Sequence, residues 1–316
     1  MRVSARNASG APNRPTGAQH EIAAGPHHCV VTEVGATLRE YSCDGRALVA
    51  GFDVGQRSTS GRGQLLAPWP NRIRDGRYEF DGHDHQLPVD EPARSNAIHG
   101  LVRWSPWTRR DGTDSSVTLE HTIYPRDGYP FLVALRVTYS LDADSGLSVH
   151  VNARNAGSQP CPFAFGAHPY LRAGSAPVDD WEVELAASTR LLTDDRAIPV
   201  GREPVEGTAF DFRRPRPIGA TVLDTCFTDL ERDPRGVTGV SLAGGRLLEP
   251  AVTLWMDGRF PYVMLFSADT LPGGERRASL AVEPMTAPPD AFRSDEGLIR
   301  LEPSQTWSGS WGIRPG

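Results

Sequence analysis

Six Asp-Gly dipeptides, at 44–45, 75–76, 81–82, 111–112, 127–128 and 257–258, stand beside runs of alternating apolar and polar residues. Asp-Gly suits the tightest hairpin turns, in which both central residues take positive φ. Between the turns the period is two. Val133, Leu135, Val137, Tyr139 and Leu141 alternate with Ala134, Arg136, Thr138 and Ser140. Leu147, Val149, Val151 and Ala153 alternate with Ser148, His150, Asn152 and Arg154. These runs predict a hairpin joined by 142–146, with one wet face. Trp181, Val183 and Leu185 alternate with Glu182 and Glu184 in the same way. Segments 251–256 and 262–268 are apolar almost throughout, as for strands covered on both faces. Helical periodicity is confined to a short candidate near Pro288 to Arg293. The fold class predicted is all-β: a large antiparallel β-sandwich with few short helices.

Composition does not shift after residue 20, and no linker or repeat interrupts the chain. Residues 19–316 are therefore expected to form a single β-sandwich domain, preceded by a disordered segment over 1–18. That segment is polar and lacks the apolar stretch of a secretion signal. No run is long and apolar enough to cross a membrane, so the expected location is cytoplasmic. A formal charge of −6 and a pI near 5.9 argue against nucleic acid or an anionic membrane as partner. Every basic side chain other than histidine is an arginine, which excludes a lysine Schiff base or lysine nucleophile. The cysteines, Cys29, Cys43, Cys161 and Cys226, are scattered and suggest neither a disulfide framework nor a zinc site.

One stretch concentrates the chemistry: Phe163-Ala164-Phe165-Gly166-Ala167-His168-Pro169-Tyr170-Leu171. As a strand, Phe163, Phe165 and Ala167 share one face, and Ala164, Gly166 and His168 the other. Pro169 should end or bend it. His168 is then either a core histidine beside a strand end or a histidine at the edge of a cleared floor where a ligand lies. The segment Ser279-Leu280-Ala281-Val282-Glu283-Pro284 repeats the pattern, with small residues leading to one ionisable group and a proline to end the strand. Glu283 is at a rim or in a site, since buried glutamates are rare without partners.

Further candidates follow. In Pro68-Trp69-Pro70-Asn71-Arg72-Ile73, two prolines hold an irregular segment that leads into a hairpin at Asp75-Gly76. Arg72 offers a planar fork suited to sugar hydroxyls or a carboxylate, or it covers a turn. His99 ends a polar loop before Gly100, and Asp224 lies between apolar residues. His83 and His85 share a strand face but have no third ligand nearby, so they read as surface hairpin residues. The tryptophans read as core residues before sugar platforms, with Trp104 and Trp69 the best exceptions because of their neighbours. The loop at 211–217 reads as a solvated surface.

Taken together, Asn71-Arg72-Ile73 with Gly76-Arg77-Tyr78, Ile98-His99-Gly100, Gly166-Ala167-His168-Pro169-Tyr170, Asp224 with Phe227, and Glu283-Pro284 resemble the aldose 1-epimerase (galactose mutarotase) family. The motifs occur in the family's order and span most of the chain. The end, Leu301-Glu302-Pro303 through Trp311, resembles the family's last strands. The resemblance implies a galactose mutarotase-like supersandwich that interconverts anomers of a free aldose without a cofactor or metal. It implies His168 as general acid and Glu283 as general base, with Asn71, Arg72, His99, Tyr170 and Asp224 binding substrate. The partner implied is a monosaccharide, and the oligomeric state a monomer or homodimer.

Two departures bear on the sugar. Met264 stands where many members carry a glutamine, and Thr225 where many carry a histidine. They motivate a second reading, a non-catalytic sugar-binding or sensor protein on the same fold. A hexose-phosphate mutarotase is a further alternative, as is a glycoside hydrolase using Asp224 and Glu283 as paired carboxylates. On the acid–base reading the rate should fall at acid pH as Glu283 protonates, and at alkaline pH as His168 loses its proton.

Overall fold

A computed structural model describes residues 14–244 and 251–316. Of the expected disordered segment 1–18, residues 1–13 lie outside the described residues; 14–18 form a turn entering the strand Gln19–Ala24. Two large antiparallel sheets dominate. The larger has nine strands, in the order Thr108–Gly112, Ser116–Ile123, Val133–Asp142, Gly146–Asn155, Thr306–Pro315, Val252–Met256, Thr238–Ala243, Glu182–Leu185 and Arg216–Pro217. The predicted hairpin supplies its third and fourth strands, with Val137 opposite Val151 and apolar and polar residues alternating between core and solvent.

The second sheet has eight strands and carries the site. Its order is Pro199–Pro204, Ala187–Thr193, Asp224–Leu230, Tyr262–Phe266, Leu280–Met285, Gly166–Ala167 and Leu65–Leu66, with Tyr170–Leu171 also on Leu280–Met285. Its inner face, including Phe227, Val263, Leu265, Leu280 and Val282, joins Val149, Val151, Leu254 and Trp311 of the nine-stranded sheet in one buried cluster. The α-helix among the described residues is a single turn, Ala291–Ser294, overlapping the predicted region. No described helix is long and apolar enough to cross a membrane.

The Asp-Gly signals divide. Asp44-Gly45, Asp75-Gly76 and Asp81-Gly82 have both residues at positive φ, whereas at 127–128 only the glycine does. Asp111-Gly112 lies inside a strand at a register shift. Asp75-Gly76 does not close a hairpin: Arg72–Arg74 pairs with Asn96–Ile98, and Arg77–Phe80 with His83–Gln86. The dipeptide sets the turn, but the partner strands are chosen by packing.

The stretch 163–171 is not one strand. Cys161–Phe163 pairs with Ile299–Leu301, Gly166–Ala167 with Leu65–Leu66 and Met285, and Tyr170–Leu171 with Leu280 and Ala281. Pro169 marks the last break, as expected. Pro284, by contrast, does not end its strand, which runs through to Met285. Val282 donates its N–H to Pro169 O and Thr286 to Phe165 O. The donor missing from Pro284 would point the same way, toward the short, interrupted strands at 166–171, where an edge-like position tolerates proline.

Candidate functional site

Gly166 pairs with Met285 and Tyr170 with Ala281, so the same register sets His168 opposite Glu283. His168 Nε2 lies 3.3 Å from Glu283 Oε1. Both residues are buried, at 5% and 2% exposure. His168 Nδ1 and Glu283 Oε2 have no protein partner. Two such atoms, costing about 1–3 kcal/mol each when left unpaired, signal a ligand site.

Both residues line a cavity of about 360 Å³, and so do Asn71, Arg72, His99, Tyr170 and Asp224. The structure therefore brings together the seven residues that the resemblance assigns to the site. A larger depression, about 670 Å³, runs along the hairpin 77–86 to Arg293. It contains no buried acid–base pair.

The imidazole of His168 is held from two sides. Tyr170 stacks on it, with ring centroids 5.1 Å apart and planes 11° apart, and donates its hydroxyl to Ser60 O. Gly61 packs against the ring: a Cβ there would lie 2.5 Å from His168 Cδ2, and the glycine's φ is +76°. Gly166 does not clear a floor for ligand; the space a Cβ would need is taken by Pro70 at 2.8 Å.

His99 and Asn71 fix each other. The His99 N–H donates to Asn71 O at 2.8 Å, and the Asn71 N–H donates to His99 Nδ1 at 3.2 Å. Because an amide N–H can only donate, neutral His99 carries its proton on Nε2. Burial, helped by His168 nearby, holds its pKa well below the usual range. His99 thus presents a donor to the cavity. Asp224 sits at the mouth, 3.7 Å from Arg94 and about one-third exposed.

Burial drives both members of the central pair toward neutrality. His168 is pushed down to about 3, chiefly by burial, with Arg103, Arg72 and Arg62 adding to it. Glu283 is raised well above the carboxylate range by burial and by Asp224, against Arg72. The imidazole at rest is therefore neutral, and the imidazolium that a general acid needs must form by proton transfer within the pair. The pair as a whole still holds one proton that it can transfer.

Sequence reasoning missed Glu91, Arg103 and Phe266, which line the cavity, and Gly61, which backs His168. The run Ser60-Gly61-Arg62-Gly63 was a usable signal, since paired glycines mark close backbone approach. Trp69 is buried in the core, whereas Trp104, 48% exposed, stands in the cavity wall with the Arg57 guanidinium 5.4 Å from its ring. Met264 lies beside Glu283 in register, within an apolar cluster of Leu191, Cys226, Tyr262 and Met285. Thr225 points away from the site, because it shares a row with Leu265 and Val282, which face the core. His83 and His85 form the hairpin edge expected of them, with His85 stacked on Tyr78.

The aldose 1-epimerase family model matches residues 19–314. The chain belongs to that family. It is 35% identical over 288 residues to the uncharacterized protein YihR of Escherichia coli, covering 89% of this chain and 88% of that one. It is 34% identical over 174 residues to human galactose mutarotase, covering 51% of this chain and 48% of the relative. A GalM/aldose epimerase homologue from C. elegans shares the fold, with a TM-score of 0.84 at 19% identity, covering 95% and 98% of the two chains.

Proposed function

We propose that this protein is an aldose 1-epimerase, an isomerase that interconverts the α and β anomers of a free galactose- or glucose-like aldose. The observation that carries the reading is the buried His168–Glu283 pair, opposed across a strand ladder in a cavity lined by hydroxyl-binding groups.

Mutarotation takes a proton off the anomeric hydroxyl and puts one on the ring oxygen. The pair supplies one proton and one vacant acceptor, which is what the reaction needs. As the sugar hydroxyl settles on Glu283, the Arg72 charge, which already favours the carboxylate, helps the proton pass to His168. Glu283 then takes the anomeric proton while His168 gives its proton to the ring oxygen. The C1–O5 bond breaks, the aldehyde forms, and the C1–C2 bond turns. Closure runs the same transfers in reverse and restores the starting protonation. Positioned acid–base catalysis of this kind contributes about 10²–10⁴-fold. Asn71, Arg72, His99 and Asp224 hold the remaining hydroxyls.

Polarimetric equilibration of fresh α-D-glucose, α-D-galactose and a panel of other free aldoses tests the proposal. Acceleration over buffer for at least one is expected. No acceleration across the panel contradicts it, and tight binding without acceleration favours the sensor reading.

A further inference from the structure

The fork of Arg72 is already occupied. Its Nε donates to Glu91 Oε2 at 2.9 Å and Oε1 at 3.2 Å, and its Nη2 donates to Oε1 at 3.0 Å. Its Nη1 donates to Asn71 Oδ1 at 3.3 Å. A guanidinium has five N–H groups. These bonds engage three, leaving one on Nη1 and one on Nη2 for the cavity that Arg72 lines.

We propose that Glu91 is the positioning residue of the sugar-binding half of the cleft, holding the Arg72 guanidinium so that its two remaining N–H groups meet substrate hydroxyls. The inference rests on the mutarotase reading for the identity of the ligand. It adds a residue that none of the sequence signals contained.

Glu91 is itself fixed in depth. Asn96, fully buried, donates its amide to Glu91 Oε2 at 2.9 Å. The backbones of Glu91 and Asn96 exchange hydrogen bonds of 3.0 and 3.2 Å, closing the loop around the single turn Pro92–Arg94. Arg196, from the connection between Ala187–Thr193 and Pro199–Pro204, clamps that loop by donating to Arg94 O, Ser95 O and Asn96 Oδ1. Burial alone would raise the Glu91 pKa, but the bonds from Arg72 and Asn96 outweigh it and the net shift is downward. The carboxylate is therefore ionised at neutral pH, and its bonds to Arg72 are of the strong, charge-assisted kind. It makes no hydrogen bond to His168 or Glu283. Its removal frees the Arg72 fork without deleting the Arg72 charge that acts on Glu283, so binding should weaken while proton transfer stays nearly intact.

The test compares wild type with Glu91→Ala, Glu91→Gln, Arg72→Ala and the Arg72→Ala/Glu91→Ala double variant, each checked for folding by thermal unfolding. Glu91→Ala is expected to raise KM about tenfold or more with kcat within about threefold, and Glu91→Gln to recover part of the loss. In the Arg72→Ala background, loss of Glu91 should change KM by less than about threefold, because the group it positions is gone. A full, multiplicative loss in that background overturns the inference, since it assigns Glu91 to the loop and not to Arg72. A ligand-independent readout separates this inference from the mutarotase reading. The Arg72 Nε–H resonance should be protected from exchange in wild type and lose protection in Glu91→Ala. Unchanged protection overturns the inference even where no aldose is turned over. Protection lost without any aldose turnover by wild type contradicts the mutarotase reading alone.

Discussion

His168 and Glu283 face each other across a strand ladder, with Nε2 and Oε1 3.3 Å apart. Strand pairings on either side set that distance: Gly166 opposite Met285 and Tyr170 opposite Ala281 bracket the break in which His168 lies. A site on rigid strands keeps its proton-transfer geometry before substrate arrives.

The imidazole depends on Gly61, and that dependence is separable from backbone strain. Gly61→Ala forces an L residue to φ near +76° and places its Cβ 2.5 Å from the ring. Gly45 has a similar φ of +74° with nothing near its Cβ. Both substitutions should lose about 1 kcal/mol of stability through the backbone. Gly61→Ala alone should also reduce kcat, by about tenfold or more, because the ring must shift. Paired melting and polarimetric measurements check this; equal kcat in the two variants contradicts the assignment.

The pH profile should differ from that of an isolated histidine and glutamate. The pair keeps its one transferable proton until Glu283, with its raised pKa, ionises. On the acid side a vacant acceptor persists until His168 protonates near 3. The rate should therefore hold level through the ordinary carboxylate range and decline only as pH rises through the raised Glu283 value. This replaces the expectation that protonation of Glu283 limits the acid limb and loss of an imidazolium proton the alkaline one. A rate that falls as pH drops through the ordinary carboxylate range contradicts it.

Glu283→Gln should be a stabilising change with a defined pH dependence. Above pH 4.5 the unfolded chain ionises Glu283 while the folded protein still protonates it. Wild-type stability thus falls as pH rises from there through the raised pKa. Glutamine carries no such penalty. The melting-temperature advantage of the variant should grow from pH 4 to pH 8, and an advantage that shrinks over that range contradicts the raised pKa.

Met264 and Thr225, the two departures from the family pattern, are expected to behave unlike each other. Met264→Gln puts an amide beside Glu283 inside an apolar cluster, so it should lower stability by about 1–3 kcal/mol and alter KM. Thr225→Val faces the core and should leave KM unchanged. Kinetics on the sugar that gives wild type its highest rate decide the point.

Much of this was legible in the sequence, because period two survives breaks in a strand. Gly166, His168 and Tyr170 share one face although they belong to separate short pairings, so reading 163–171 as a single strand still aimed His168 correctly. Glu283 is legible for the same reason, although its strand runs on through Pro284 to Met285. Glu91 and Gly61 were not legible. They sit on irregular loops whose proximity to Arg72 and His168 is tertiary, spanning 19 and 107 positions, and no periodicity encodes that. The turn at Asp75-Gly76 was recognised, but which strands it joined depended on packing.

The central claim is that Glu283 and His168 move the protons as one unit, and their double-mutant cycle tests it most directly. Polarimetric kcat is measured for wild type, Glu283→Gln, His168→Asn and the double variant. Each single substitution should cost about 10²-fold or more, and the double variant much less than the product of the two losses. A Glu283→Gln variant with near-normal kcat, or losses that multiply in full, would contradict the account.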